Sequence, residues 1–209
     1  TGAVQSVGAT TLTGGRDIGI ASTGAVTAGT TTTAAAGRHL LLLGSTASGG
    51  DTQLTATGVL ATAGTVLAGG NVSASGQGGV ALGGTVYATR GVTAQSGGGA
   101  IGVTGSVIAH GGSAVLTGTD VTVSGTTQSS GDTALTATQG SVAVDGQSAA
   151  VGNLNISAAQ DIAGQGTTTS VGSTTLAAGR DIARTGGSQA AGNLTATAGN
   201  RLAMAALPV

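Results

Sequence analysis

A glycine returns about every 20 residues along this chain of 209 residues, and no other feature constrains the fold as strongly. The steps between successive marker glycines are 19 to 21 residues. These glycines are Gly8, Gly29, Gly50, Gly70, Gly91, Gly112, Gly131, Gly152, Gly172 and Gly192. In seven of the ten units the next residue is Asp, Asn or Ser, which can close a turn on its own backbone. A period of this length predicts a repeat architecture in which each unit stacks on its neighbours.

Other residue types follow the same period. Four positions after the marker glycine most units have an aliphatic residue, five positions after it most have Thr or Ser, and six positions after it all have Ala or Gly. This order is the period-2 alternation of a strand with one face toward water. A second strand is marked ten positions after the glycine by Ile18, Leu60, Val80, Ile101, Ile162, Ile182 and Leu202. A third, weaker strand is marked by Val66, Val86 and Val107.

We therefore predict an all-β fold, a parallel β-helix (β-solenoid) of about ten coils with about 20 residues and three short strands per coil. No segment has the 3.6-residue period of a helix, and Gly and Thr are poor helix formers. A β-sandwich would not keep one residue type in one column over ten units. The units from Gly29 to Gly49 and from Gly91 to Gly111 fit the pattern loosely, so local bulges or outward loops are expected there.

Composition narrows the functional classes. The chain has 42 Gly, no Cys and one aromatic residue, Tyr87, and its formal net charge is −1. A narrow tube filled by aliphatic side chains accounts for the lack of aromatics. The balanced charge predicts no nucleic-acid partner, and no apolar run approaches the roughly 20 residues of a membrane span. Because the sequence lacks an initiator Met and a signal peptide, we expect residues 1–209 to be a single segment from inside a longer protein.

The stretch LAAGRDIA (Leu176–Ala183) carries two of the few charges, and similar stretches begin at Leu12 and Ile156. We interpret its Arg and Asp as turn residues that point outward and pair loosely between coils. Stacking at nine positions after the marker glycine brings together Asp161, Asp181 and Arg201, and likewise Asp17 and Arg38.

A catalytic alternative exists for these acids, because clustered Asp residues bind Ca²⁺ or act as acid and base in β-helix enzymes that cleave polysaccharides. Asp161 and Asp181 would be such a pair. However, Arg180 and Arg201 neighbour them and the chain has no Glu. We therefore predict no catalytic residues and no enzymatic activity.

Other motifs predict no site either. GGGAIG (Gly97–Gly102) fits GxGxxG, but no crossover helix follows it. His39 and His110 fall in different columns about three and a half coils apart, which is too far for a shared metal. The sequence thus predicts neither a cofactor nor a metal ion.

The units STTLAAGRDIA, NLTATAGNRLA, NLNISAAQDIA and ATTLTGGRDIG resemble the repeats of filamentous haemagglutinins. These are large exoproteins of Gram-negative two-partner secretion, a group that includes the stalks of contact-dependent growth-inhibition toxins. The resemblance covers nearly the whole chain. It implies a right-handed parallel β-helix, export through an outer-membrane β-barrel partner, and a secreted or cell-surface location. It also implies that the parent protein meets a host or neighbouring cell.

The expected function is a structural stalk or filament segment of such an adhesin-like exoprotein, with weak contacts to surfaces or glycans. The alternative is a module that binds glycans or ice through ladders of Thr and Ser. One ladder contains Thr13, Thr55, Thr117, Thr136 and Thr197, and another column contains Thr10, Thr31, Thr52, Thr93, Thr133 and Thr174. A polysaccharide-cleaving enzyme is the weaker third reading. Unpaired edges at the two ends of the solenoid also predict end-to-end self-association.

Overall fold

The computed structural model describes residues 2–205 as a stack of ten coils, each made of three β-strands. Equivalent strands of successive coils pair in parallel and form three ten-stranded sheets, here called A, B and C. Coil 1 consists of β1 to β3, coil 2 of β4 to β6, and so on to coil 10, which consists of β28 to β30. The predicted β-solenoid, with about ten coils of three strands each, is confirmed.

The strand bounds follow, sheet by sheet. Sheet A contains β1 (Ala3–Ser6), β4 (Ala25–Ala28), β7 (Ser45–Ser48), β10 (Thr65–Ala68), β13 (Thr85–Ala88), β16 (Ser106–Ala109), β19 (Thr126–Ser129), β22 (Gln147–Ala150), β25 (Thr167–Ser170) and β28 (Ser188–Ala190). Sheet B contains β2 (Thr10–Gly14), β5 (Thr32–Ala36), β8 (Thr52–Ala56), β11 (Val72–Gly76), β14 (Val92–Gln95), β17 (Ala114–Gly118), β20 (Thr133–Ala137), β23 (Leu154–Ala158), β26 (Thr174–Ala178) and β29 (Leu194–Ala198). Sheet C contains β3 (Ile18–Ile20), β6 (Leu40–Leu42), β9 (Val59–Thr62), β12 (Gly79–Leu82), β15 (Ile101–Val103), β18 (Val121–Val123), β21 (Val142–Val144), β24 (Ile162–Gly164), β27 (Asp181–Arg184) and β30 (Arg201–Met204).

The predicted columns of the second and third strands are present. Val80 pairs with Leu60 on one side and with Ile101 on the other, as the prediction required in sheet C. Val86 lies between Val66 and Val107 in sheet A. In the inner coils the side chains of these columns are buried and their neighbours are more exposed, because the pleat sends successive residues to opposite faces. In the terminal coils Ile18 is half-buried and Leu202 is exposed. The core is therefore a thin axial stack of aliphatic side chains.

The repeat register differs from the prediction in two coils. The residues equivalent to Gly8 are Thr30 and Arg90 rather than Gly29 and Gly91: Thr30 N–H donates to the Gly8 carbonyl (3.2 Å), and Arg90 N–H donates to that of Gly70 (3.0 Å). The unit from Gly29 to Gly49 has no extra residue between its sheet B and sheet C strands, so the expected bulge or outward loop is wrong there. The unit from Gly91 to Gly111 does have one extra residue in this turn, because Gln95 pairs with Ser75 and Ile101 pairs with Val80. The turn accommodates the shift of one residue.

This shift changes which residues fill the aliphatic column of sheet B. Ala34 and Ala94 occupy it, and both are buried. Thr33 and Gln95, which stand four positions after Gly29 and Gly91 and were expected in this column, do not belong to it. The prediction that the next inward column holds only Ala or Gly is also wrong, because Ser96 occupies it in coil 5 and accepts Gly99 N–H at 3.0 Å.

A column of glycines not included among the markers forms the corner between sheets C and A. Its members, called corner glycines below, are Gly2, Gly24, Gly44, Gly64, Gly84, Gly105, Gly125, Gly146, Gly166 and Gly186. A Cβ on Gly84 would lie 1.8 Å from the Gly64 carbonyl oxygen, so no other residue fits the backbone as it stands. This close approach, rather than an unusual φ, requires glycine here.

At the corner between sheets A and B, two inward positions four residues apart (five in coil 6) vary together. Where Ser precedes Thr, the two hydroxyls hydrogen bond at 2.7–2.9 Å; these pairs are Ser6–Thr10, Ser48–Thr52, Ser129–Thr133 and Ser170–Thr174. Where Ala comes first, an apolar residue follows in Ala68–Val72, Ala88–Val92, Ala109–Ala114, Ala150–Leu154 and Ala190–Leu194. The exception is Ala28–Thr32, whose Thr32 Oγ1 has no partner among the described residues. Buried hydroxyls are thus generally matched within each corner.

Candidate functional site

The candidate site is the charged turn between sheets B and C, which precedes each sheet C strand. Here an Asp carboxylate accepts a backbone N–H from the equivalent position of the next coil. Asp17 accepts His39 N–H (3.1 Å), Asp161 accepts Asp181 N–H (3.1 Å), and Asp181 accepts Arg201 N–H (3.0 Å). The Asp of the repeated motif is therefore an acceptor that links two coils along the axis.

The Arg of the motif completes this arrangement. Arg180 Nε donates to Asp161 Oδ1 at 3.0 Å, and its Nη2 donates to Oδ2. Arg38 makes the same two-pronged contact with Asp17, with its Nε 2.9 Å from Oδ1. Each Arg thus holds the Asp of the preceding coil, the bidentate geometry that a planar guanidinium favours.

The electrostatics keep these carboxylates ionised. Hydrogen bonds from Arg38 lower the pKa of Asp17 to about 2. Hydrogen bonds from Arg180 likewise lower the pKa of Asp161, and the pKa of both guanidinium groups is raised by their Asp partners. A carboxylate held ionised by an Arg and by a backbone N–H is poorly suited to proton transfer near neutral pH.

The predicted stacking of this turn is confirmed in part. Asp181 lies between Asp161 and Arg201 in one column, as expected. Arg38 pairs with Asp17 as predicted but stacks on Arg16, one position earlier, because its N–H donates to the Arg16 carbonyl (2.6 Å). The column that contains Asp17 and Asp161 also contains His39, Asp120 and Ser141.

A second ladder of the same kind, not foreseen in this form, precedes the sheet B strands. Asn71 N–H donates to Asp51 Oδ1 (2.7 Å), and Gly91 N–H donates to Asn71 Oδ1 (3.1 Å). The later rungs run through Ser113, Asp132, Asn153, Ser173 and Asn193. The expectation that these residues close turns on their own backbone is wrong here, because their oxygens accept N–H groups of the following coil. The signal in the sequence was the recurrence of Asp, Asn and Ser in one column.

The two histidines are separate. His39 Nδ1 accepts Val59 N–H (3.1 Å) and so takes the place of an Asp in the turn ladder. His110 stacks on Tyr87 on the outside of sheet A, with ring centroids 6.0 Å apart. Within residues 2–205, no three His, Asp or Glu side chains are grouped so that they could hold a metal ion. GGGAIG (Gly97–Gly102) forms the turn into β15 and contributes Ile101 to the core.

The predicted hydroxyl ladder on the outside of sheet B is present but interrupted. Thr13, Thr55, Thr117, Thr136 and Thr197 share one column. Between them stand Ala35, Ser75, Gln95, Ser157 and Ala177. The other predicted column is different: Thr10, Thr52, Thr133 and Thr174 are buried, and Thr31 and Thr93 do not belong to it. Of these two predicted columns, only the one that contains Thr13 and Thr55 offers hydroxyls to a ligand.

Comparison with family models, curated proteins and solved structures finds no match to this chain. In the part of the chain that the structure describes, there is no helix of the length and hydrophobicity needed to cross a membrane.

Proposed function

We propose that this chain is a structural stalk or filament segment of a secreted or cell-surface exoprotein of the filamentous haemagglutinin type. The observation that supports this most is the unbroken pairing of all three sheets through ten coils. The backbone hydrogen bonds lie along the rod axis, at a spacing of roughly 4.8 Å per coil, so ten coils extend about 48 Å. Such a body holds whatever is attached to its ends at a fixed distance.

The turn ladders support a load-bearing role. Where a rung is present, both ladders join one coil to the next, mostly through a side-chain oxygen and a backbone N–H, as Asp161 does with Asp181 and Asn153 with Ser173. Pulling along the axis loads these bonds together with the sheet ladders. Most polar side chains of the turns are thereby occupied in holding coils together.

The same topology suits export through an outer-membrane partner, as the sequence resemblance implies. Each strand pairs with a strand about 20 residues away, such as Ala158 with Ala178. A newly emerged coil therefore finds its template in the coil just folded, and folding can propagate from neighbour to neighbour.

Two experiments test the stalk. Spin labels at Thr55→Cys and Thr136→Cys lie four coils apart on the outside of sheet B, and their separation should be about 19 Å. Removing residues 84–104, one coil that ends before the corner glycine Gly105, should shorten this separation by about 5 Å.

The second experiment measures adhesion. Beads coated with the chain alone should not adhere to cells above the level of uncoated beads. An unchanged label distance, or saturable adhesion by the chain itself, would contradict the stalk proposal.

The second candidate is a binding module, and the outward Thr column of sheet B favours it. A flat row of hydroxyls at the inter-coil spacing can contact glycans or ice. The interruptions at Ala35, Gln95 and Ala177 weigh against ice, which needs a uniform array. Thermal hysteresis and a glycan array test this candidate; a signal lost in Thr117→Val and Thr136→Val would favour it over the stalk.

A further inference from the structure

Arg184, the last residue of β27, is a charged side chain inside the solenoid. It is 1% exposed and is among the largest fully buried side chains of the described residues. Its Nη2 donates to the carbonyl oxygen of the corner glycine Gly166 at 2.8 Å. Its Nε and Nη1 have no hydrogen-bond partner among residues 2–205.

The surroundings make room for this side chain. Arg184 of coil 9 stacks on Gly164 of coil 8 in the inward column of sheet C. The same column has Val144 in coil 7 and Met204 in coil 10. In sheet A the inward residues of coils 9 and 10, Thr168 and Ser188, are small and polar. Thr168 Oγ1 donates to Ser188 Oγ at 2.9 Å, which leaves the Ser188 proton for a further acceptor.

The charge of Arg184 is not balanced inside the core. The two ion pairs of the described residues involve Arg38 and Arg180 instead. Burial lowers the pKa of Arg184, and the exposed carboxylate of Asp145 opposes this only as a neighbouring charge. A fully buried cation is rare unless it is paired, because burying it unpaired costs more than its contacts return.

We propose that Arg184 forms a buried anion site that takes a small monovalent anion such as chloride, held by Nε and Nη1. A small ion is required because Arg184 is fully buried inside one narrow tube, where it stacks on Gly164. Within residues 2–205, no carboxylate side chain of the protein supplies the opposite charge, since the buried residues include no acid. The Ser188 proton, which the bond from Thr168 leaves free, would be a further donor from sheet A. This inference does not depend on the stalk function.

Hydrogen exchange of the whole chain in chloride and in an equal concentration of the larger anion methanesulfonate tests the site. Chloride at ten times its dissociation constant should increase the protection of residues 181–190 about 11-fold, because the ion binds only the closed state. Arg184→Met, which repeats the Met204 side chain of the same column, should lose this dependence. Arg90→Met removes an equal charge from an exposed position and should keep it.

A second measurement covers the case in which Arg184→Met does not fold. Crystals of the unaltered chain soaked in bromide should show an anomalous peak within hydrogen-bond distance of Arg184 Nε and Nη1. Protection that is the same in both anions, or a bromide-soaked crystal with only water at these nitrogens, would overturn the proposal.

Discussion

Coils 4 to 6 and coils 7 to 10 share one backbone but have different interiors. In sheet A the inward column reads Val66, Val86 and Val107 in the first region. It continues as Thr127, Ser148, Thr168 and Ser188 in the second. Among the described residues, coils 4 to 6 contain no buried side-chain polar atom that lacks a partner, whereas coils 7 to 9 contain those of Thr127, Ser148 and Arg184.

The backbone pairing nevertheless continues unchanged across the boundary, where Val107 pairs directly with Thr127. A solenoid of this kind does not depend on an apolar interior in every column. What both regions share is the corner glycine and the alternation of inward and outward residues, for example Gly84 in one and Gly146 in the other. The corner glycines determine the path of the backbone, and the polarity of the inward side chains then determines the local stability of each coil.

The largest effect is expected from the shared feature. Gly84→Ala and Gly146→Ala would place a Cβ 1.8 Å and 1.9 Å from the carbonyl oxygen of the preceding corner glycine. Both should lower the free energy of unfolding by more than about 4 kcal/mol, because backbone atoms must shift. Gly102→Ala, whose Cβ meets nothing within 4 Å, is the control and should change it by less than about 0.5 kcal/mol. Urea unfolding gives the values; a large effect in only one region would show that the corners are not equivalent.

A mirror pair of nearly isosteric substitutions tests the interior difference directly. Val86→Thr buries a hydroxyl between Val66 and Val107 in the apolar region and should destabilise the chain by about 1–3 kcal/mol. Thr127→Val removes a buried hydroxyl that has no partner and should stabilise it by a similar order, about 1 kcal/mol. Urea unfolding of both variants is the measurement. If Thr127→Val instead destabilises the chain, the Thr127 hydroxyl has a stabilising partner in the folded state.

The matched corners offer a smaller and more local test. Ser170→Ala in the polar region leaves the Thr174 hydroxyl without its 2.9 Å partner, as in Ala28–Thr32. We expect a loss of about 1 kcal/mol, and we expect adding Thr174→Val to restore most of it. The double variant reproduces the Ala68–Val72 corner of the apolar region. Equal and additive losses in a double-mutant cycle would refute the coupling of the two positions.

The sequence was sufficient for the fold because its strongest signal is the one that stacking produces. Residue types recur at one position per coil, so the columns of Val80 and Val86 could be predicted and are confirmed. The register was harder, since in a Gly-rich chain Gly29 and Gly91 imitate the true period. The corner glycines also recur, at steps of 20 to 22 residues, but their close approach to a carbonyl oxygen becomes visible only in three dimensions.

The site could be predicted only where it follows from stacking. Proximity of Asp17 to Arg38 and of Asp161 to Asp181 follows from the column and is confirmed. That the carboxylates accept backbone N–H groups depends on the turn conformation, which the pattern does not specify. The burial of Arg184 was not predicted, because an Arg at a strand end usually points to water.

The smallest effect concerns pH and separates coils 4 and 5 from the coils that are joined by an Arg–Asp pair. Coils 4 and 5 have Gly79 and Ala100 at the turn position that Asp17 and Asp161 occupy elsewhere, so they contain no Arg–Asp pair there. The pKa of Asp17 is about 2 in the folded chain and that of Asp161 is also lowered. An unfolded Asp titrates near about 3.9. The stabilisation that these Arg–Asp pairs give to the folded chain is therefore complete above about pH 4 and is lost as the pH falls toward 2.

Hydrogen exchange, corrected for its intrinsic pH dependence, should show protection of β6 and β27 declining between about pH 4 and 2 before that of β12. Asp161→Asn keeps an acceptor oxygen for Asp181 N–H but removes the charge that Arg180 pairs with. It should flatten the pH dependence of β27 and leave that of β6 unchanged, because the Asp17 pair is seven coils away. A simultaneous loss of protection in β6, β12 and β27 would mean that the rod unfolds as one unit. The difference between the regions would then have no consequence for local stability.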